Sequence, residues 1–132
     1  MKYLLDTCVI SGFIKGNTNV VQRMKSEQPV NLAVSSVTVM ELHYGLKLNP
    51  QRALKISPII TALLQTIKII PYESRCAEQT AIIRAQLKAL GTPIGPYDIM
   101  IAGTAIEHRM IMVTANIKEF ERVNSLEIEN WQ

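Results

Sequence analysis

Two histidines, two cysteines and two aspartates are all that this 132-residue sequence holds of those types, and each scarcity excludes something. Cys8 and Cys76 have neither the paired spacing of a zinc site nor the number a disulfide framework needs, which suits a reduced, cytoplasmic protein. His43 and His108 stand apart from any partner that would give them a base role, and both are read as surface or packing residues. No run of 18 apolar residues exists, so no membrane-spanning helix is expected. The opening MKYLLDTCVISGF meets Asp6 too early to serve as a secretory segment. No repeat, low-complexity tract or linker divides the chain, and a single domain over residues 1–132 is the expectation.

What is present fits that outline. Hydrophobic residues make up 48% and charged residues 19%, a globular balance. The 14 Lys and Arg exceed the 11 Asp and Glu, giving a formal charge of +3 that permits a polyanionic partner without demanding one.

Short apolar runs alternate with helical patterns. KYLL before Asp6, VNLAV (30–34), IKIIPY (67–72) and MIMVT (110–114) read as buried strands, with LEI (126–128) a weak fifth. Between them, Val20, Val21 and Met24 recur at helical spacing, as do Leu42, Tyr44 and Leu46. Ile59, Ile60, Leu63, Leu64 and Ile67 follow one helical face, and Pro58 predicts a fresh start there with Ser57 as cap. A helix from about Ser74 to Leu90 ends at Gly91. The fold class is therefore α/β: a short central parallel sheet of four to five strands flanked by helices, in the open doubly wound form. In such sheets ligands bind beyond the carboxyl ends of the strands.

Four acidic positions fall at that edge. Asp6 follows the first strand, where it also suits a helix N-cap. Thr38 and Glu41, after the second strand, have the spacing of a capping box, and Asn116 with Glu119 repeats it after the fourth. Asp98 opens the apolar helix of TPIGPYDIMIAGTA, with Gly95 as cap and Pro96 at the first position. As a first-turn acid it would gain only about 0.3–1 kcal/mol from the helix dipole. If that helix runs antiparallel to the strands, its N-terminus meets the other acids. Two like charges about 4 Å apart repel by roughly 4 kcal/mol at an effective dielectric near 20, and three such pairs by about 12. That rivals the ~5–15 kcal/mol stability of a whole domain. The carboxylates must then stay apart, take up a proton or share a divalent cation. Hard oxygen donors point to Mg²⁺ or Mn²⁺. Such an ion beside a phosphodiester suggests hydrolysis by an activated water, with Glu41 or Glu119 as the longer-armed groups to orient it.

At these residues the chain resembles PIN-domain ribonucleases, specifically the VapC toxins of VapBC toxin–antitoxin pairs. KYLLDT resembles the opening strand and first acid, SSVTVMELHYG the second motif, GTPIGPYDIMIAGTA the third, and VTANIKEFERV with LEIENW the fourth motif and tail. The resemblance implies a metal-dependent endoribonuclease acting on structured RNA, with tRNA the substrate class. It implies Asp6 and Asp98 as metal ligands, Glu41 acting through water, and Asn116 or Glu119 as the fourth site residue. Thr7, Thr114 and Tyr97 beside them are set down as RNA contacts, Tyr97 as a stacking surface. A homodimer and a complex with a VapB-type antitoxin are implied too, and Ile56–Ile67 offers an apolar surface for the antitoxin. Arg75, Arg84 and Lys88 are candidate phosphate contacts. The chain departs from the family at Cys8, where Asn is usual, and weaker hydrogen bonding around Asp6 is expected there. Two other readings stand beside this one. The first is a housekeeping PIN nuclease of RNA processing. The second is a non-enzymatic α/β binding module with a cation site, like a receiver, against which Tyr72 and Glu73 occupy the place of a phospho-accepting Asp.

Overall fold

The computed structural model describes residues 2–132. Its strands are β1 (Tyr3–Leu5), β2 (Leu32–Ser35), β3 (Lys68–Ile70), β4 (Ile111–Val113) and β5 (Ile128–Glu129). All pair in parallel, in the order β3-β2-β1-β4-β5. They coincide with the five apolar runs to within a few residues. The helices are α1 (Thr7–Ile14), α2 (Thr18–Ser26), α3 (Ser36–Leu48), α4 (Pro50–Thr66), α5 (Ser74–Leu90), α6 (Pro96–Glu107) and the single turn α7 (Ile117–Phe120).

Strand alternation divides the core in two. Leu4, Ala33, Ile70 and Met112 face one side, packed with Ile83 and Leu87 of α5, Ile99 and Ala102 of α6, and Phe120. Tyr3, Leu5, Leu32, Val34 and Val113 face the other, packed with Val9, Ile10, Val20, Leu42, Ile60 and Leu63 from α1 to α4. Burial on both faces is why the strands read as continuous apolar runs. Trp131 closes the second core edge-on to Tyr3, ring centroids 5.0 Å apart, with the Arg23 guanidinium 4.7 Å over its face.

Pro58 corrects one expectation. It lies inside the continuous 17-residue α4, whose start is signalled instead by Asn49, accepting from Arg52 N–H, and by Pro50 in the first turn. A proline at 58 cannot donate to the Leu54 carbonyl. Leu54 is 82% exposed, so water is at hand to replace that bond. At the end of α5 the forecast holds: the helix stops at Gly91, in the left-handed conformation with φ +69°.

Helices α5 and α6 form a hairpin whose close approach depends on Gly103. A Cβ there would sit 3.0 Å from the Cys76 carbonyl oxygen and the Thr80 nitrogen, and would overlap Thr80 Oγ1. That hydroxyl already donates to Cys76 O at 2.8 Å and lies 2.9 Å from Tyr72 Oη. Gly103→Ala must therefore push two helices apart, and we expect it to cost about 1–3 kcal/mol in urea unfolding.

The chain builds outward from β1 through β2 to β3, then returns to place β4 on the other side of β1. The carboxyl ends of β1 and β4 are thus the topological switch point, where an open α/β sheet leaves a crevice. Asp6 and Thr114 are the next residues after those two strands.

Candidate active site

Asp6 caps α1. Its Oδ1 accepts from Thr7 N–H at 2.7 Å, and its backbone N–H donates to Val113 O at 2.9 Å, tying the residue to β4. Only 2% exposed, it is held by two further donors on Oδ2: the Thr114 hydroxyl at 2.8 Å and the Cys8 thiol at 3.3 Å. Burial first, and then the Asp6 charge, push the Cys8 thiol up to about 11, so it stays protonated and can donate. The weakening expected from the missing amide is therefore offset here by a thiol. Thr114 corrects another expectation. It is fully buried, accepts from Asn116 N–H at 3.0 Å and gives its own proton to Asp6, so it holds the aspartate rather than RNA.

The second acid comes from α3. Its cap is Ser35, which accepts from Val37 N–H, and not Thr38 as the box spacing predicted. The helix begins three residues earlier than that reading required, which leaves Thr38 buried and carries Glu41 into the second turn. There Glu41 Oε1 accepts from the Thr7 hydroxyl at 2.7 Å, and Thr7 Oγ1 is also 3.2 Å from Thr38 Oγ1. Thr7 therefore links the two carboxylates, its N–H on Asp6 and its hydroxyl on Glu41. The second expected box is also absent: Asn116 is the cap of α7 but makes no side-chain cap bond.

Asp98 occupies the first turn of α6, behind the Gly95 cap and Pro96, as predicted. Gly95 matters for space rather than for backbone freedom. A Cβ there would come within 3.3 Å of Asp98 Oδ2. The half-buried Asp98 carboxyl is pushed up to about 6, first by burial and then by the charges of Asp6, Glu41 and Glu119. Groups far apart in sequence thus share one electrostatic neighbourhood. Glu119, one of the two alternatives at the fourth position, is the least of those charges. Tyr97, adjacent, is 49% exposed and open to solvent.

Among the described residues no ion pair involves Asp6, Glu41, Asp98 or Glu119, although Lys15 and Arg52 line the hollow beside Glu41. The ion pairs that are formed join Arg23 to Glu27 and to Glu129. Nor do three His, Cys, Asp or Glu side chains among the described residues close into a ready-made metal cage. Mg²⁺ does not need one, since it keeps several waters and takes one or two carboxylates. The donor set is carboxylate oxygen; Asp6 Oδ1 accepts one bond and keeps a lone pair free, while Oδ2 already takes two donors. The residues fit a hard divalent cation.

His43 and His108 are exposed, surface residues rather than packed ones. Sequence reasoning missed the Thr7–Glu41 and Thr114–Asp6 hydrogen bonds and the buried Thr38. Threonines directly after acid-bearing strands were the available signal.

The comparisons with known proteins agree with this arrangement. The chain matches the PIN domain family over residues 3–126. It is 35% identical over 99% of its length to the tRNA(fMet)-specific endonuclease VapC of Salmonella typhimurium, covering 98% of that protein. It is 38% identical, with the same coverage of both chains, to the tRNA(fMet)-specific endonuclease VapC of Shigella flexneri. Its fold superposes on a chain of VapBC2 from Rickettsia felis, solved bound to a promoter DNA fragment, with a TM-score of 0.92, 29% identity and all of both chains covered. Among the described residues no helix is long and apolar enough to cross a membrane. The chain belongs to the PIN-domain family, with VapC proteins as its full-length relatives.

Proposed function

We propose that this chain is a divalent-metal-dependent endoribonuclease, the toxin of a VapBC-type pair, and that it cuts structured RNA of the tRNA class. The observation that carries the metal site is the unneutralised acid cluster at the switch point. Burial first, and then the charges of Asp6, Glu41 and Glu119, keep Asp98 half protonated near pH 6. The substrate class rests on the two relatives whose names specify tRNA(fMet).

Asp6 and Asp98 would hold Mg²⁺ or Mn²⁺, with Glu41 acting through water. A bound divalent cation polarises a phosphoryl oxygen and makes water a usable nucleophile at neutral pH. The residues supply the rest. Thr114 and Cys8 fix the Asp6 rotamer, so that carboxylate needs no reordering when it binds. Thr7 holds Asp6 through its N–H and Glu41 through its hydroxyl, keeping the two carboxylates side by side. Glu41 or Glu119, whichever is left free of the ion, accepts the proton of the attacking water. Thr114→Val, which removes one Asp6 donor, is expected to weaken Mn²⁺ binding about 10–100-fold. Titration followed by water proton relaxation reads that change.

The antitoxin partner is proposed on the solved VapBC assemblies of relatives. It is supported by apolar surface on α4, including Leu54 at 82% and Ile59 at 40% exposure. Beside it lies a cavity of about 500 Å³ lined by Phe13, Pro58, Ile59, Ala62 and Leu63. Ile60 and Leu63 themselves are core. Cytoplasmic residence and the homodimer belong to the same proposal. Incubating the purified protein with total tRNA tests the enzymatic part. Cleavage with Mg²⁺ or Mn²⁺ that stops on chelation supports it, and cleavage indifferent to chelator contradicts it.

A further inference from the structure

A groove of about 930 Å³ runs along the α5–α6 hairpin and ends at the first turn of α6. Its floor is apolar, formed by Leu87, Ile94, Ile99 and Met100, and its lining has two charged members, Arg84 and Lys88, both cationic and both exposed. These lie one turn apart on α5, on the same helix face. Pro96, which also lines the groove, is two residues from Asp98. Tyr97, 49% exposed, stands between them.

We propose that this groove takes RNA nucleotides flanking the cleaved phosphodiester: unstacked bases on the apolar floor, and backbone phosphates on Arg84 and Lys88. This rests on the ribonuclease reading above. Three features argue for nucleic acid rather than another occupant. The lining carries two positive charges and no negative one, which complements a polyanion. Apolar floor and cationic rim lie side by side, as a base and its phosphate do. The groove also reaches the first turn of α6, the turn that carries Asp98, so its end lies within a helical turn of the acids' edge. Single-stranded loops, whose bases can splay outward, are the RNA form that fits.

The test is steady-state cleavage of total tRNA by the full chain in Mn²⁺, at several salt concentrations. Arg84→Glu with Lys88→Glu is expected to raise KM at least tenfold, leave kcat within about twofold, and leave Mn²⁺ binding unchanged. The slope of log KM against log salt should fall by about 1.4, the single-strand value for two lost phosphate contacts. Ala85→Trp, at an exposed position in the lining, should raise KM by blocking the floor without altering charge. Unchanged KM in both variants, with the parent cutting RNA, overturns this inference and leaves the ribonuclease reading intact. A variant that instead changes the oligomeric state also overturns it, marking the face as an interface between copies. Failure of the parent to cut RNA at all removes the ribonuclease reading itself.

Discussion

Asp98→Asn is expected to lower metal-dependent RNA cleavage by at least about 10²-fold, and Asp6→Asn to do the same, while neither unfolds the protein. The size follows from removing a charged ligand from a site whose catalytic power is electrostatic, where loss of one well-placed group costs about 10²–10³ in kcat. The two variants should differ in what they do to the apo protein. Asp98 is half-buried among Asp6, Glu41 and Glu119, with no basic partner. Neutralising it relieves repulsion and should raise the melting temperature. Asp6 is instead buried under three donors. An amide there keeps the cap on Thr7 N–H but turns a donor toward the Thr114 hydroxyl, so its stability should stay level or fall slightly. Cleavage of total tRNA and thermal melts of both variants check the pair of outcomes.

Without divalent metal, the protein is expected to be more stable at pH 5 than at pH 7.5. Asp98 is held at about 6 in the folded chain, above the 3.8 of an ordinary aspartate. A raised carboxyl favours the folded state fully below about pH 3.8, and that contribution disappears as pH rises through about 6. Taken at face value the shift corresponds to about 3 kcal/mol. Half the group sees solvent, which screens the interaction, so roughly half survives and about 1 kcal/mol separates the two pH values. Urea unfolding of parent and Asp98→Asn measures it: the variant should lose the difference. Mg²⁺ should reverse the order at pH 7.5, since saturation at 100 times its dissociation constant adds about 2.7 kcal/mol. At pH 5 a proton competes for Asp98, so the same addition should stabilise less.

The sheet was legible because parallel strands buried on two faces leave unbroken apolar runs, and the chain has five. Helix α6 was legible for a local reason: glycine, proline and acid stand in the order that a helix start requires. Where the reading failed, several local signals competed. The SSVT segment offers three hydroxyl caps, and Ser35 prevailed because β2 runs into it directly. Pro58 obeys the rule that removes its own hydrogen bond, yet tertiary packing of Ile60 and Leu63 carries α4 through it. Asp6, Glu41 and Asp98 could be placed at one edge from topology alone. The hold of Thr114 on Asp6 and of Thr7 on Glu41 could not, because those bonds span 108 and 34 residues and depend on how the elements pack.

Mn²⁺ titrated into the metal-free protein at pH 7.5, followed by water proton relaxation, tests the central claim most directly. The acid cluster predicts a single ion bound by the parent, with affinity lowered at least tenfold in Asp6→Asn and in Asp98→Asn. Equal binding by all three proteins, or none by the parent, would contradict it.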